Sequence, residues 1–98
     1  MLLTDAAVKN AKPTDKPARI FDGGGMYLEI SPSGGKLWRM KYRFGGKEKR
    51  LALGTYPTVS LKEARERRDE ARKLLAHGAD PGEVRKAQKA AKQARAAD

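Results

Sequence analysis

Two alternating runs joined by Gly45-Gly46 constrain this chain more than any other feature. Leu37–Phe44 sets Trp38, Met40, Tyr42 and Phe44 on one side and Arg39, Lys41 and Arg43 on the other. A period of two is the signature of a half-buried strand. Paired glycines supply the positive φ of a two-residue hairpin loop, so they also fix the register of the next strand, Lys47–Leu53. Phe44 should face Lys47, Arg43 face Glu48, Tyr42 face Lys49 and Lys41 face Arg50. Met40 should then face Leu51, Arg39 face Ala52 and Trp38 face Leu53. Directly opposed residues share a sheet face. One face is therefore Trp38, Met40, Tyr42, Leu51 and Leu53, and it is core. The other is Arg39, Lys41, Arg43 and Arg50, with Glu48 at its tip.

The rest of the chain arranges itself around that hairpin. Thr4 can cap a short helix through Ala6, Ala7 and Val8, which Pro13 ends. Residues 12–25 read as a loop-rich approach, with Arg19-Ile20-Phe21 a candidate short edge strand. Met26–Ser31 alternates, with Met26, Leu28 and Ile30 on one face and Tyr27, Glu29 and Ser31 on the other. For that strand to share the core face, Ile30 must sit near Trp38. The turn Pro32-Ser33-Gly34-Gly35 must then hold an odd residue or a bulge. Gly54-Thr55-Tyr56-Pro57 breaks the sheet. Ser60 and Glu63 form a capping box for a helix running to about His77, and Gly78 supplies its stop. Leu61, Ala64, Ala71, Leu74 and Leu75 lie along one stripe of that helix and should cover the Trp38/Met40/Leu51 face. Asp80 caps a second helix with Pro81 at its first position, continuing through 97 on Lys, Arg, Gln and Ala.

The expected fold is α+β. A three-stranded antiparallel sheet packs on one main helix, with a short N-terminal helix and a C-terminal linker helix. Residues 1–79 form the domain. Residues 80–98 read as a linker helix, a connector to something absent from this sequence.

Charge sharpens the reading. The chain has 22 Lys and Arg against 12 Asp and Glu, a net +10 over 98 residues. Residues 25–59 hold seven bases and two acids, so half of the excess lies in the sheet region. A polyanion is the expected partner, with nucleic acid ahead of an anionic membrane surface. With no Cys and a single His, a thiolate site, a disulfide framework and a multi-His metal site are excluded. No cofactor and no small-molecule substrate are expected. No apolar run approaches a membrane span and no signal-peptide pattern opens the chain, so a soluble, reducing compartment is expected. Tyr27, Tyr42 and Tyr56 are the available hydroxyl nucleophiles, and none has the paired Arg and His that phosphoryl transfer needs. This chain is not expected to be an enzyme.

The chemistry sits on the basic sheet face. Same-face residues on a strand are roughly 6.5–7 Å apart, close to the spacing of phosphates along a nucleic-acid strand. A twisted sheet fits the major groove, where Arg can meet guanine N7 and O6 in bidentate fashion. Arg39, Lys41, Arg43 and Arg50 are the expected groove residues, with Tyr27 a further candidate on the same outer face. Lys36, Lys47 and Lys49, in or beside the turns, suit phosphate contacts. The opposing explanation is a solvated outer face on which Lys blocks edge aggregation. Against it, Lys41 opposite Arg50 is a like-charge pair, and only Glu48 enters the count as an offset.

The segments Gly25–Ile30, Pro32–Arg39, Tyr42–Lys47, Leu53–Pro57, Val59-Ser60-Leu61 and Glu63-Ala64-Arg65, with Leu3-Thr4-Asp5 and Gly78–Pro81 at the boundaries, resemble one family. It is the N-terminal arm-type DNA-binding domain of phage and prophage integrases, tyrosine recombinases of the satellite-phage type. The likeness covers roughly residues 2–85. It implies a sheet that enters the major groove of arm-type sites beside the attachment core, in a protein that integrates or recombines DNA. It also implies the cytoplasm and nucleoid of a bacterial host, and contacts with other integrase domains or subunits through the C-terminal helix. The family's catalytic residues lie in another domain, and none is carried over. Two other readings remain open at this point. A double-stranded RNA-binding module has a similar order of elements. A protein-interaction module would act through helix 81–97.

Overall fold

The computed structural model describes residues 2–97, with side chains through Lys92. The chain runs α1 (Asp5–Asn10), β1 (Ala18–Gly23), β2 (Met26–Ile30), β3 (Lys36–Phe44), β4 (Lys47–Tyr56), α2 (Leu61–Ala76) and α3 (Pro81–Ala97). The architecture is α+β, but the antiparallel sheet has four strands in the order β1-β2-β3-β4, not three. The extra strand grows out of the Arg19–Phe21 segment. Ala18 and Ile20 turn inward and Arg19 and Phe21 outward. Next in line inward is Asp22, so a charged residue hides the alternation at the level of sequence.

The β3–β4 register follows the Gly45-Gly46 loop from Phe44↔Lys47 down to Arg39↔Ala52. It then shifts, so that Trp38 faces Gly54 and not Leu53. The irregularity lets both Leu51 and Leu53 enter the core. Gly54 has φ +125°, and a Cβ there would run into the Val59 side chain, so only glycine lets the chain turn this closely against Val59. Trp38 Nε1 donates to the Val59 carbonyl at 2.8 Å and ties down the same corner. On the other side, Met26, Leu28 and Ile30 face Met40, Trp38 and Lys36 without a bulge. The odd residue lies in the five-residue loop between Ile30 and Lys36, so Leu28, and not Ile30, stands opposite Trp38.

α2 starts where Ser60 Oγ accepts from the Glu63 backbone N–H at 3.1 Å. Its Leu61, Ala64 and Ala71 are buried with Trp38, Met40 and Leu51, as the stripe predicts. The helices thus occupy one face of the sheet. The other face, carrying Arg43, Glu48 and Arg50, is open to solvent.

Candidate nucleic-acid interface

The open face is built row by row from the register. One row runs Arg19, Glu29, Leu37 and Thr55; the next runs Phe21, Tyr27, Arg39 and Ala52. Lys41 faces Arg50, and Arg43 faces Glu48. Five bases (Arg19, Arg39, Lys41, Arg43 and Arg50) therefore share a surface with two acids, Glu29 and Glu48.

The acids are placed among the bases. Glu29 lies 3.3 Å from Arg39 Nε and 3.8 Å from Arg19 Nε, and Glu48 lies 3.2 Å from Lys41 Nζ. The hydrogen bond and charge of Lys41, followed by the charges of Arg43 and Arg50, hold the Glu48 carboxyl below its usual range. Glu48 is therefore not the only acid offsetting this face. Glu29, on β2, lies on the same face through the β2–β3 register. Among the described residues, Arg43 and Arg50 form no salt bridge. These two are the bases most available to an incoming anion.

Tyr27 does lie on this face, but it is 0% exposed. Phe21 covers it at a ring-centroid distance of 5.2 Å, and the Arg19 guanidinium stands 5.4 Å over its ring. Direct solvent-side contact through Tyr27 is closed off. The sequence pattern assigned its face correctly and missed its cover, which comes from the unanticipated β1.

The three lysines beside the turns lie on the opposite side of the sheet. Lys36 Nζ donates to the carbonyls of Val8 (2.8 Å) and Lys9 (3.1 Å), at the C-terminal end of α1, where a cation meets the exposed carbonyls and the helix dipole. It also stands over the Tyr56 ring. Lys49 Nζ donates to Asp80 Oδ2. Lys47 is exposed beside the hairpin tip and forms no salt bridge among the described residues.

Two buried carboxylates hold the frame behind the face, and composition gave no sign of either. Asp22 is 1% exposed. It accepts from the Leu3 N–H at 2.7 Å, from Arg65 at 2.9 and 3.1 Å and from Arg68 at 3.1 Å. Burial pushes its carboxyl up, but the Arg65 bond, the Leu3 N–H and the two guanidinium charges outweigh that and leave it below its ordinary value. Asp80 is 5% exposed and joins three elements. It accepts from the Gly82 N–H at the start of α3, from Tyr42 Oη at 2.6 Å on β3, and from Lys49 on β4. The Lys49 and Tyr42 bonds bring its carboxyl down to about 2. Burial, then the bond to Asp80, pushes the Tyr42 hydroxyl up to about 12. The cap of α3 was legible at Asp80; the Tyr42 and Lys49 partners, more than thirty residues away, were not.

A small α+β module of this kind, with helices on one sheet face and a cationic, solvent-open other face, belongs among the nucleic-acid-binding domains. The arm DNA-binding domain family matches residues 3–88, and the chain is a member of it. The integrase of Enterobacteria phage P4 is 54% identical over 88 residues, which is 88% of this chain and 20% of that protein. The integrase of Shigella phage Sf6 and prophage integrase IntS of Escherichia coli K12 are each 44% identical over 86 residues, 88% of this chain and 22% of theirs. The chain thus spans about a fifth of the length of these relatives. No helix among the described residues is long and apolar enough to cross a membrane.

Proposed function

We propose that this chain binds double-stranded DNA by laying the open sheet face in the major groove of arm-type sites. It would do so as the DNA-binding domain of a larger integrase that joins or recombines DNA at specific sites. One observation carries the reading: a solvent-open sheet face with five bases against two acids, on which Lys41 is set directly opposite Arg50. Like charges opposed across a sheet cost stability, and a polyanion turns that cost into attraction. Arg39 and Arg43, four residues apart on β3 with Lys41 between them on the same face, are assigned to base edges. Lys41 and Arg50 lie between them and the adjacent phosphates. Lys47, at the hairpin tip, is a phosphate contact. Lys36 and Lys49 have partners inside the chain, so their part is to hold the frame. The family match and the integrase relatives support the same reading.

The test is a chemical-shift titration of the labelled protein with duplex DNA selected from a randomised library. Shifts should gather on β3 and β4 at the open face. Shifts confined to the exposed side of α2 overturn the sheet-in-groove geometry, and preference for an RNA duplex overturns DNA as the ligand. Arg39→Ala and Arg43→Ala should each weaken binding by about 1–3 kcal/mol with the fold intact.

A further inference from the structure

Exposed large apolar side chains are few. Among the described residues they are Leu2 and Phe21, and Phe21 is 53% exposed on the cationic sheet face. Its cross-strand neighbours are equally unusual. Buried side-chain polar atoms without a hydrogen-bond partner occur at Tyr27 Oη and Arg39 Nε. Arg39 Nε lies near Glu29, but without the alignment of a hydrogen bond. All three residues stand in a single row, Phe21↔Tyr27↔Arg39. The row therefore combines an unburied aromatic edge with unmet polar groups, beneath a surface that attracts anions. Folding alone does not require this. A polar residue at position 21 would leave less apolar surface in water, and an aliphatic one would cover Tyr27.

We infer that this row reads sequence, and that Phe21 is the apolar reader, contacting the 5-methyl group of a thymine in the major groove. The inference rests on the DNA-binding reading above and deepens it. In the major groove the thymine methyl is the one apolar mark on a base edge, and a phenyl ring is one of its recognised partners. A neutral carbohydrate or an uncharged lipid surface would leave Arg39, in the same row, without a matching bidentate acceptor. The major groove supplies both, since Arg39 faces guanine N7 and O6 of one base pair while Phe21 faces the thymine methyl of another close by. Phe21 and Arg39 are two strand spacings apart, about 9.5 Å. At about 3.4 Å of helix axis per base pair, the thymine falls within about three base pairs of the guanine.

The experiment takes a duplex selected by the chain from a randomised library and remakes it with deoxyuridine at each thymine in turn. Each change removes only a 5-methyl group. At least one thymine, within about three base pairs of a guanine whose contribution disappears in Arg39→Ala, should lose about three- to tenfold in affinity when it becomes uracil. Phe21→Ala should weaken binding to the thymine duplex by a similar factor and no longer distinguish thymine from uracil there. Phe21→Gln keeps a stem over Tyr27 without the apolar edge, and makes the same comparison should Phe21→Ala unfold. Uracil tolerated within twofold at every position overturns the inference, as does a Phe21 variant that keeps the full uracil penalty. Uracil tolerance with both arginine variants still weakened sinks Phe21 alone. Unchanged binding in Arg39→Ala and Arg43→Ala sinks the DNA-face reading itself.

Discussion

The chain carries two sets of bases that look alike in sequence and are spent differently. Arg39, Lys41, Arg43 and Arg50 stand on the open face, where their acidic neighbours are themselves partly or largely exposed. Lys36, Lys49, Arg65 and Arg68 turn the other way, onto carbonyls at a helix end or onto the buried carboxylates Asp22 and Asp80. On a strand the two sets are separated by a single residue of register. Lys49 and Arg50 are adjacent, and one closes a buried network while the other faces solvent. Net charge therefore overstates the interface. What counts is the charge not locked onto a buried partner in the folded chain. The first set should govern binding and the second stability.

The sharpest way to break that comparison is at Asp22. It gathers Leu3, Arg65 and Arg68 at a buried point joining the N-terminal segment, β1 and α2. Asp22→Ala would leave two guanidinium groups and a backbone N–H without their acceptor. Removing one partner of a buried ion pair costs about 3–5 kcal/mol, and the part-exposed Arg65 draws the expected loss toward the lower end. Urea titration gives the value. Duplex DNA should then raise the stability of the variant by the same increment as it raises that of the parent, since the open face is intact. A smaller increment would mean that the two sets are not separable.

The Asp80 network makes the next distinction, by pH. The Asp80 carboxyl sits at about 2 in the fold against an ordinary value of 3.8. A depressed folded value means stability that is complete above about 4 and is lost as pH falls toward 2. The Tyr42 hydroxyl, at about 12 against 10.0, works in reverse: its share is complete below 10 and is lost as pH rises toward 12. Thermal melts should show a plateau between these limits, with a shoulder at each end. In Asp80→Asn the acid shoulder should shrink and the alkaline one move down. An unchanged acid limb would place the acid sensitivity at Asp22 instead.

How much of this was legible beforehand depended on whether the cause was local. Gly45-Gly46 is a local device, and it gave six consecutive pairs of the β3–β4 register correctly. The seventh failed because the bulge beside Gly54 answers to Val59, a contact made only when the chain folds back. Ser60, Gly78 and Asp80 were readable as caps because capping acts within one turn of a helix. β1 was legible only as a fragment, since its inward positions include an aspartate whose partners, Arg65 and Arg68, lie on α2. Tyr27 was assigned to its correct face, and its burial followed from that same strand. The partners of Lys36 and Lys49 were hidden from the sequence for a common reason. Proximity to a turn says that a lysine can reach solvent, and only the tertiary fold reveals a carbonyl or carboxylate closer to hand. Membership of the family was carried by combined motifs, because the turns and caps that define them are local.

The smallest expected effect tests the boundary between the two sets. Lys47 lies on the helix side of the sheet by register, opposite Phe44, yet it is exposed and adjoins the hairpin tip. By side it belongs with Lys36 and Lys49; by lack of a partner it belongs with Arg43. If partnering decides, Lys47→Ala should leave the urea midpoint within about 0.5 kcal/mol of the parent, as ordinary surface changes do. It should also weaken DNA binding modestly and equally across duplex sequences, and lower the slope of log K against log salt by about 1, one phosphate contact. If sheet side decides, the slope stays and the midpoint moves. The salt slope is the better readout, because it counts neutralised phosphates even where the change in affinity at one salt concentration is close to measurement error.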